Sequence, residues 1–307
     1  MTAGRRLTWD RDVATALAET ARRAVDLGSA PARLLRLGTN ASFRIGDVVV
    51  RIAPQGRPVD AAAREIETAR MLEEHGVRAV RPAADVPFVV GRAAAGSGGA
   101  RHVVTLWRWV DHDPRAIVDG FGFGALLRAF HRATDADDRP LPPWPQWDLI
   151  GGRIAGLRTN PAFRPGEVDL LDRALDDLRR RLADDPAPHR PIHGDAHPGN
   201  VIVGPDGPVL LDFDLVGRGP RPWDLAPAAL HVRRYGGDPA WFAAARAGYG
   251  EPALPHEADY VDLRELASAV WRLAAEGAPD PTTRAPEVDA RLAALAGERD
   301  PPTWRAS

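Results

Sequence analysis

The stretch I-H-G-D-A-H-P-G-N-V-I-V-G-P-D-G-P-V-L-L-D-F-D, Ile192 to Asp214, decides how the rest of the chain is read. Its polar residues stand in an order that phosphoryl transfer requires. Four residues separate Asp195 from Asn200, in the pattern H-x-D-x-x-x-x-N that begins at His193, and Asp212 follows Asn200 by twelve positions. Moving a phosphoryl group to a hydroxyl asks little covalent chemistry of a protein. The phosphates must be held, their charge neutralised and the acceptor hydroxyl oriented. Asp195 is placed to accept the hydroxyl proton. Asn200 offers a neutral amide oxygen and Asp212 an anionic one, and both suit Mg²⁺, a hard ion that takes oxygen ligands.

Each residue also has a plainer reading. A lone Asp usually caps a turn, and Asn200 after Pro198-Gly199 fits an ordinary turn. Asp212 follows the apolar run Val209-Leu210-Leu211. Burying it there is costly unless an ion or hydrogen bonds pair with it. His193 is expected to brace the loop, and His197 to contact the loop or the acceptor. Asp214 is a candidate for a second metal or for holding the next loop. Asp224, in P-W-D-L-A, is either a helix cap or a brace beneath the Asp195 loop.

Composition limits the alternatives. The chain has 307 residues, 44% hydrophobic and 27% charged, enough for one large domain or two lobes around a cleft. A net charge of -2 provides no basic excess for nucleic acid. Cysteine is absent, which excludes disulfides, thiolate catalysis and cysteine-based zinc sites. The N-terminus lacks an apolar signal region and no apolar run reaches membrane-spanning length, so a cytoplasmic protein is expected.

Hydrophobic patterning divides the chain in two. A helix is expected over 9–27, with Thr8 as its cap and Val13, Leu17, Ala21 and Ala24 on one face. Strands at 33–37, 41–45 and 48–52 are separated by Gly38-Thr39-Asn40 and Gly46-Asp47. A helix over 59–75 and strands at 85–90 and 102–106 follow, the strands joined by the loop A-A-A-G-S-G-G-A. Beyond residue 120 helices dominate, at 122–133, 148–157, 167–183, 224–235, 241–247, 260–276 and 286–296. A hairpin, 201–203 with 209–213, interrupts them. The segment 134–147 is expected to be a surface loop.

The segments I-H-G-D-A-H-P-G-N-V-I-V, V-L-L-D-F-D and W-D-L-A closely resemble the aminoglycoside phosphotransferase family, with its choline kinase and homoserine kinase relatives. The resemblance is specific there and extends more weakly over most of the chain. It implies an α+β, protein-kinase-like fold with an antiparallel β-rich N-lobe over 1–106, a hinge over 107–113 and a mostly helical C-lobe over 114–307. It further implies ATP or GTP as co-substrate and Mg²⁺ as cofactor. In L-G-T-N-A-S-F-R-I, the resemblance places Gly38, Thr39, Asn40 and Ser42 over the nucleotide phosphates, although this loop has one glycine rather than a full G-x-G-x-x-G. Arg51, in V-V-V-R-I, takes the position of a phosphate-pairing lysine, with different reach and geometry. Glu65, preferred to Glu67, would hold Arg51. Trp107 and Trp109 lie in the expected hinge, as purine-lining or packing residues.

The acceptor is left open among an aminoglycoside or other antibiotic, an amino alcohol, an amino acid and a sugar. Glu257, Asp259, Asp262 and Glu265 are candidates for an acidic acceptor pocket or for a solvated helix face. Trp144, Trp147, Trp223, Trp241 and Trp271 are candidates for stacking or for core packing. A protein acceptor is disfavoured, because nothing resembles the activation segment of protein kinases. Two other classes are possible: a metal-dependent hydrolase using His193, Asp195, His197, Asp212 and Asp214, and an inactive kinase fold serving as a binding module.

Overall fold

The computed structural model describes residues 9–91, 100–250, 254–298 and 303–305. Thr8 and most of the loop A-A-A-G-S-G-G-A therefore lie outside the described residues. The cap of α1 (Arg11–Ala24) is Asp10, whose carboxylate accepts from the backbone N–H groups of Asp12 and Val13. Ala14, Leu17, Ala18 and Ala21 form the buried stripe of this helix.

The N-terminal part is an antiparallel five-stranded sheet in the order β1-β2-β3-β5-β4. Its strands are β1 (Arg33–Leu37), β2 (Ala41–Ile45), β3 (Val48–Ile52), β4 (Phe88–Gly91) and β5 (Arg101–Arg108). Side chains alternate across it. Ala41, Phe43, Ile45, Val50, Ile52, Val104 and Leu106 face one way and pack with α1. Cross-strand neighbours Ser42, Arg51 and Thr105 are on the opposite face. A one-residue register slip would send Arg51 into the α1 core. On that second face, Ala62 of α2 (Val59–Glu74) meets Ala53 and Val103. Strand β5 continues through Arg108, which pairs with Val48. Trp107 and Arg108 thus belong to the sheet, and the connection to the helical part begins at Trp109, later than the sequence pattern suggests.

The helical part contains α3 (Gly120–Asp135), α4 (Gln146–Leu157), α5 (Pro165–Arg181), α6 (Pro222–Arg234), α7 (Pro239–Tyr249), α8 (Glu257–Ala274) and α9 (Pro286–Leu295). Between α5 and α6 run β6 (Arg190–Ile192), β7 (Val201–Gly204), β8 (Gly207–Leu210) and β9 (Gly217–Gly219). The β7–β8 hairpin and the antiparallel β6–β9 pair hold the two ends of the Ile192–Asp214 stretch side by side. Helices α3 and α7 approach closely because Gly124 and Gly248 have no Cβ. One added at either position would overlap a backbone carbonyl of the other helix, Ala245 or Phe121 respectively.

Two cores hold this frame. Ile66 and Leu72 of α2, Phe123, Leu127 and Phe130 of α3, Trp107, Leu210 and Phe213 join the sheet part to the helical part. Ile154, Leu171, Leu175, Trp223, Leu266 and Val270 gather α4, α5, α6 and α8. Each such fully buried aliphatic side chain contributes about 1.5–3 kcal/mol relative to exposure. Among the described residues no helix is long and apolar enough to cross a membrane.

Candidate active site

After β6 the chain turns sharply at Gly194, where φ is +84° and an added Cβ would overlap the carbonyl of Leu215. Asp224, fully buried in the first turn of α6, holds this turn from below. Its Oδ2 accepts from the His193 N–H at 2.7 Å and its Oδ1 from the Gly194 N–H at 2.8 Å. Nε2 of His131 lies 2.9 Å from the same Oδ2, and the Tyr249 hydroxyl is 2.8 Å from His131 Nδ1. A buried carboxylate with several donors is affordable where a lone one is not. From above, Trp223 donates its indole N–H to the Gly194 carbonyl at 2.8 Å.

His193 is completely buried between the rings of Phe130 and Phe213. Its Nε2 donates to the carbonyl of Leu211 at 2.9 Å, which leaves Nδ1 to accept from the Asp195 N–H at 3.3 Å. The ring therefore ties Asp195 to the residue preceding Asp212. Asn200, at the end of a single 3₁₀ turn (Pro198–Asn200), donates its amide to the Asp195 carbonyl at 3.0 Å. Its backbone carbonyl accepts from Leu211 N–H at 2.9 Å. Asp195, Asn200 and Asp212 are thus set by one hydrogen-bonded unit. The Asp195 carboxylate reaches Nη2 of Arg264 at 2.5 Å and lies 3.7 Å from Nε2 of His197. Burial opposes its ionisation, but His197 and Arg264 outweigh burial and hold its carboxyl well below the usual carboxylate range.

Opposite this unit stands a charged cluster. Arg51 contacts Glu65 at 2.6 Å, Asp212 at 2.7 Å and Asp214 at 2.8 Å. Arg57 also bonds Glu65, and reaches Asp214 at 3.0 Å. The Asn40 amide donates to Asp214 at 3.0 Å. Burial pushes the Glu65 carboxyl up to about 8, Asp214 adding to the rise against the two arginines. For Asp214 burial is outweighed by Arg51 and Arg57, and its carboxyl is held low. Asp212 has a left-handed backbone, φ +64°, unusual for a residue with a side chain. Such conformations persist where surrounding structure fixes them, and here it turns the carboxylate towards Arg51.

The sequence profile of the phosphotransferase enzyme family matches residues 22–266. The chain belongs to this family. Among solved structures, the phosphotransferase resembles an amicoumacin kinase, hAmiN, in complex with AMP-PNP, Ca²⁺ and Ami, at 17% identity, covering 94% of this chain and 92% of that one with a TM-score of 0.68. A microcompartment-associated aminopropanol kinase matches at 23% identity, with 91% and 94% covered and a TM-score of 0.67. A choline/ethanolamine kinase family protein from Mesorhizobium loti matches at 19% identity, with 92% and 94% covered and a TM-score of 0.60. No curated protein matches. The chain is thus a phosphotransferase with the two-lobed, protein-kinase-like fold that small-molecule kinases share.

The donor set of this phosphotransferase fits Mg²⁺. The Asn200 amide nitrogen is engaged by Asp195, so its oxygen points the other way. The Asp212 and Asp214 carboxylates supply anionic oxygens of the kind a hard cation takes. The hydrolase expectation is corrected. Both ring nitrogens of His193 are engaged by the backbone, so His193 is no metal ligand and the hydrolase ligand set loses its first member.

The remaining candidates are distributed unevenly. Asn40 reaches the cluster through Asp214, and Ser42 is the cross-strand neighbour of Arg51. Gly38 and Thr39 complete the β1–β2 turn, where Gly38 N–H donates to the Asn40 carbonyl and Trp9 binds the Thr39 carbonyl. Trp107 and Trp109 do not meet. The Trp107 ring is buried against Phe213, and the Trp109 ring packs 4.0 Å from the Arg44 guanidinium. The α8 acids do not form an acceptor pocket. Asp259 and Asp262 pair with Arg181, Asp262 and Glu265 with Arg233, Glu265 also with Arg234, and Glu257 with Arg246. Arg57 and Arg264, both inside the site, carried no signal in the sequence.

Proposed function

We propose that the enzyme moves the γ-phosphate of ATP or GTP to a hydroxyl of a small molecule, an antibiotic or a metabolite. The observation that carries this reading is the bonded unit of Asp195, Asn200 and Asp212 facing the Arg51–Glu65 pair. Asp195 orients the acceptor hydroxyl and takes its proton as the oxygen bonds to the γ-phosphorus and the bond to the nucleoside diphosphate breaks. A base held far below neutrality suits this transfer, because in a loose transition state the hydroxyl loses its proton late and orientation matters more than basicity.

Asn200 and Asp212 would hold Mg²⁺, which neutralises phosphate charge when bound. Arg51, fixed by Glu65, pairs with the phosphates beneath the turn of Gly38, Thr39, Asn40 and Ser42. Trp107 and Trp109 flank the purine side through the start of the interlobe connection. In this reading residues 1–108 bind nucleotide, 109–113 form the hinge and 114–307 carry the acceptor and the base. A cytoplasmic site of action, where nucleoside triphosphates and Mg²⁺ are abundant, fits it.

The test is nucleotide consumption by the wild-type enzyme and Asp195→Ala over hydroxylated antibiotics, amino alcohols, hydroxy acids and sugars. Acceptor-dependent release of nucleoside diphosphate that disappears in Asp195→Ala supports the assignment. Equal release by both proteins removes it. A cellular function untouched by Asp195→Ala would favour the binding module instead.

A further inference from the structure

Helix α8 presents its charges in two ways. Its acids Glu257, Asp259, Asp262 and Glu265 all turn to arginines of α5, α6 and α7 and join the helices to one another. Its Arg264 turns the other way, to the Asp195 carboxylate at 2.5 Å, with its side chain 19% exposed. The guanidinium lies 5.1 Å over the Trp223 ring, and Trp223 is itself bonded to the Gly194 carbonyl. The same loop that positions Asp195 therefore positions Arg264. Tyr260, one turn earlier on α8, and Trp144 extend this aromatic wall, with the Trp144 ring 5.1 Å from Trp223 and 6.2 Å from Tyr260.

We propose that the acceptor is an alcohol bearing an anionic group, carboxylate or phosphate, a few bonds from its hydroxyl, and that Arg264 binds this group. The proposal rests on the reading of Asp195 as the residue that faces the acceptor. A guanidinium offers a planar fork of N–H donors that matches carboxylate and phosphate oxygens in pairs, and stacking on an aromatic ring fixes the plane of that fork. Asp195 Oδ1 is bonded to Arg264, and Oδ2 faces His197 at 3.7 Å. An acceptor that brings its own anion replaces Asp195 as the partner of Arg264 and frees Oδ1 for the hydroxyl. A cationic acceptor meets a like charge at that point, and the α8 acids that would attract it are already paired. Arg264 is thus a specificity-determining residue that selects for charge and releases the base only when the matching group arrives.

The experiment measures nucleoside diphosphate release with Mg²⁺ and ATP or GTP in three arms: glycerate and malate, glycerol 3-phosphate, and ethanolamine, choline and kanamycin. The first two arms separate carboxylate from phosphate. Release above the acceptor-free rate is expected with at least one anionic alcohol and with none of the cationic ones. For that acceptor, Arg264→Met raises KM by about 100-fold or more, with kcat changed less and the nucleotide KM unchanged. Arg264→Lys, which keeps a charge, recovers most of the loss, and thermal melts confirm that both variants are folded. Turnover of any of the cationic alcohols, or an unchanged acceptor KM in Arg264→Met, overturns the proposal. So does turnover of no anionic alcohol while slow, Asp195-dependent nucleotide hydrolysis persists, and that result leaves the phosphoryl-transfer reading standing. Turnover insensitive to Asp195→Ala overturns both.

Discussion

Arg51 and Asp212 face each other across the cleft at 2.7 Å, although 161 positions separate them in the chain. Arg51 comes from the central strand of the sheet and Asp212 from the segment after β8, so their contact registers the two parts of the molecule against each other. Arg51→Lys keeps the charge but cannot bond Glu65, Asp212 and Asp214 together. The expected result is a nucleotide KM raised about tenfold, from a lost charge-assisted hydrogen bond, with a lower melting temperature. Arg51→Ala should be worse on both measures, read by steady-state kinetics and thermal melts.

Asp195→Ala and Asp212→Ala should fail in different ways. In the proposed role the first removes the proton acceptor for the hydroxyl, so kcat should drop about a hundred- to ten-thousandfold while nucleotide affinity holds. The second weakens Mg²⁺-dependent nucleotide binding and turnover together. Calorimetric titration of a non-hydrolysable triphosphate, with and without Mg²⁺, distinguishes them. Near-wild-type turnover in either variant would undo its assignment.

Asp224 is a positioning residue whose loss should be felt first in stability. Asp224→Ala strands the N–H groups of His193 and Gly194 and the His131 ring, all buried. The cost expected from breaking a buried charged network is about 3 kcal/mol or more, measured by urea unfolding. Asp224→Asn keeps one acceptor oxygen and should lose less. An unfolding midpoint unmoved in Asp224→Ala would show that the loop does not depend on this carboxylate.

The pH dependence follows from the low carboxyl of Asp195. A depressed folded-state pKa gives stability that is present above the unfolded value and lost as pH falls through the folded one. Asp195 therefore stays ionised in the acceptor-free enzyme between about pH 5 and pH 8, and its protonation should put no acid limb on kcat/KM in that range. Arg264→Met removes one of the charges that hold it low. The variant's kcat/KM should begin to fall at a higher pH than the wild type's.

Much of this architecture was legible because its signals are local. Strands β1, β2 and β3 begin and end where the sequence places them, since apolar alternation and the turn residues between them agree. Strand β5 runs two residues past its expected end because Trp107 and Arg108 still pair with β3, a non-local fact. The α1 stripe includes Ala14 and Ala18, which count as core only once the sheet is seen to cover them. Asp195, Asn200 and Asp212 were visible as a spaced set, and the bracing role considered for Asp224 matches its backbone bonds. Arg57 and Arg264 were not visible. The chain has forty basic residues, all arginine and none lysine, so no single arginine stands out. Their roles arise from carboxylates far away in sequence.

Helix α1 has a practical consequence. Most of it precedes residue 22, where the family profile begins to match. A truncation chosen at that boundary would strip the cover from Phe43, Ile45, Val50, Ile52, Val104 and Leu106 together. That would leave an apolar sheet face open to water, the kind of surface that drives self-association. Such a shortened protein should precipitate or recruit chaperones, even though every residue named in the phosphoryl-transfer chemistry would still be present.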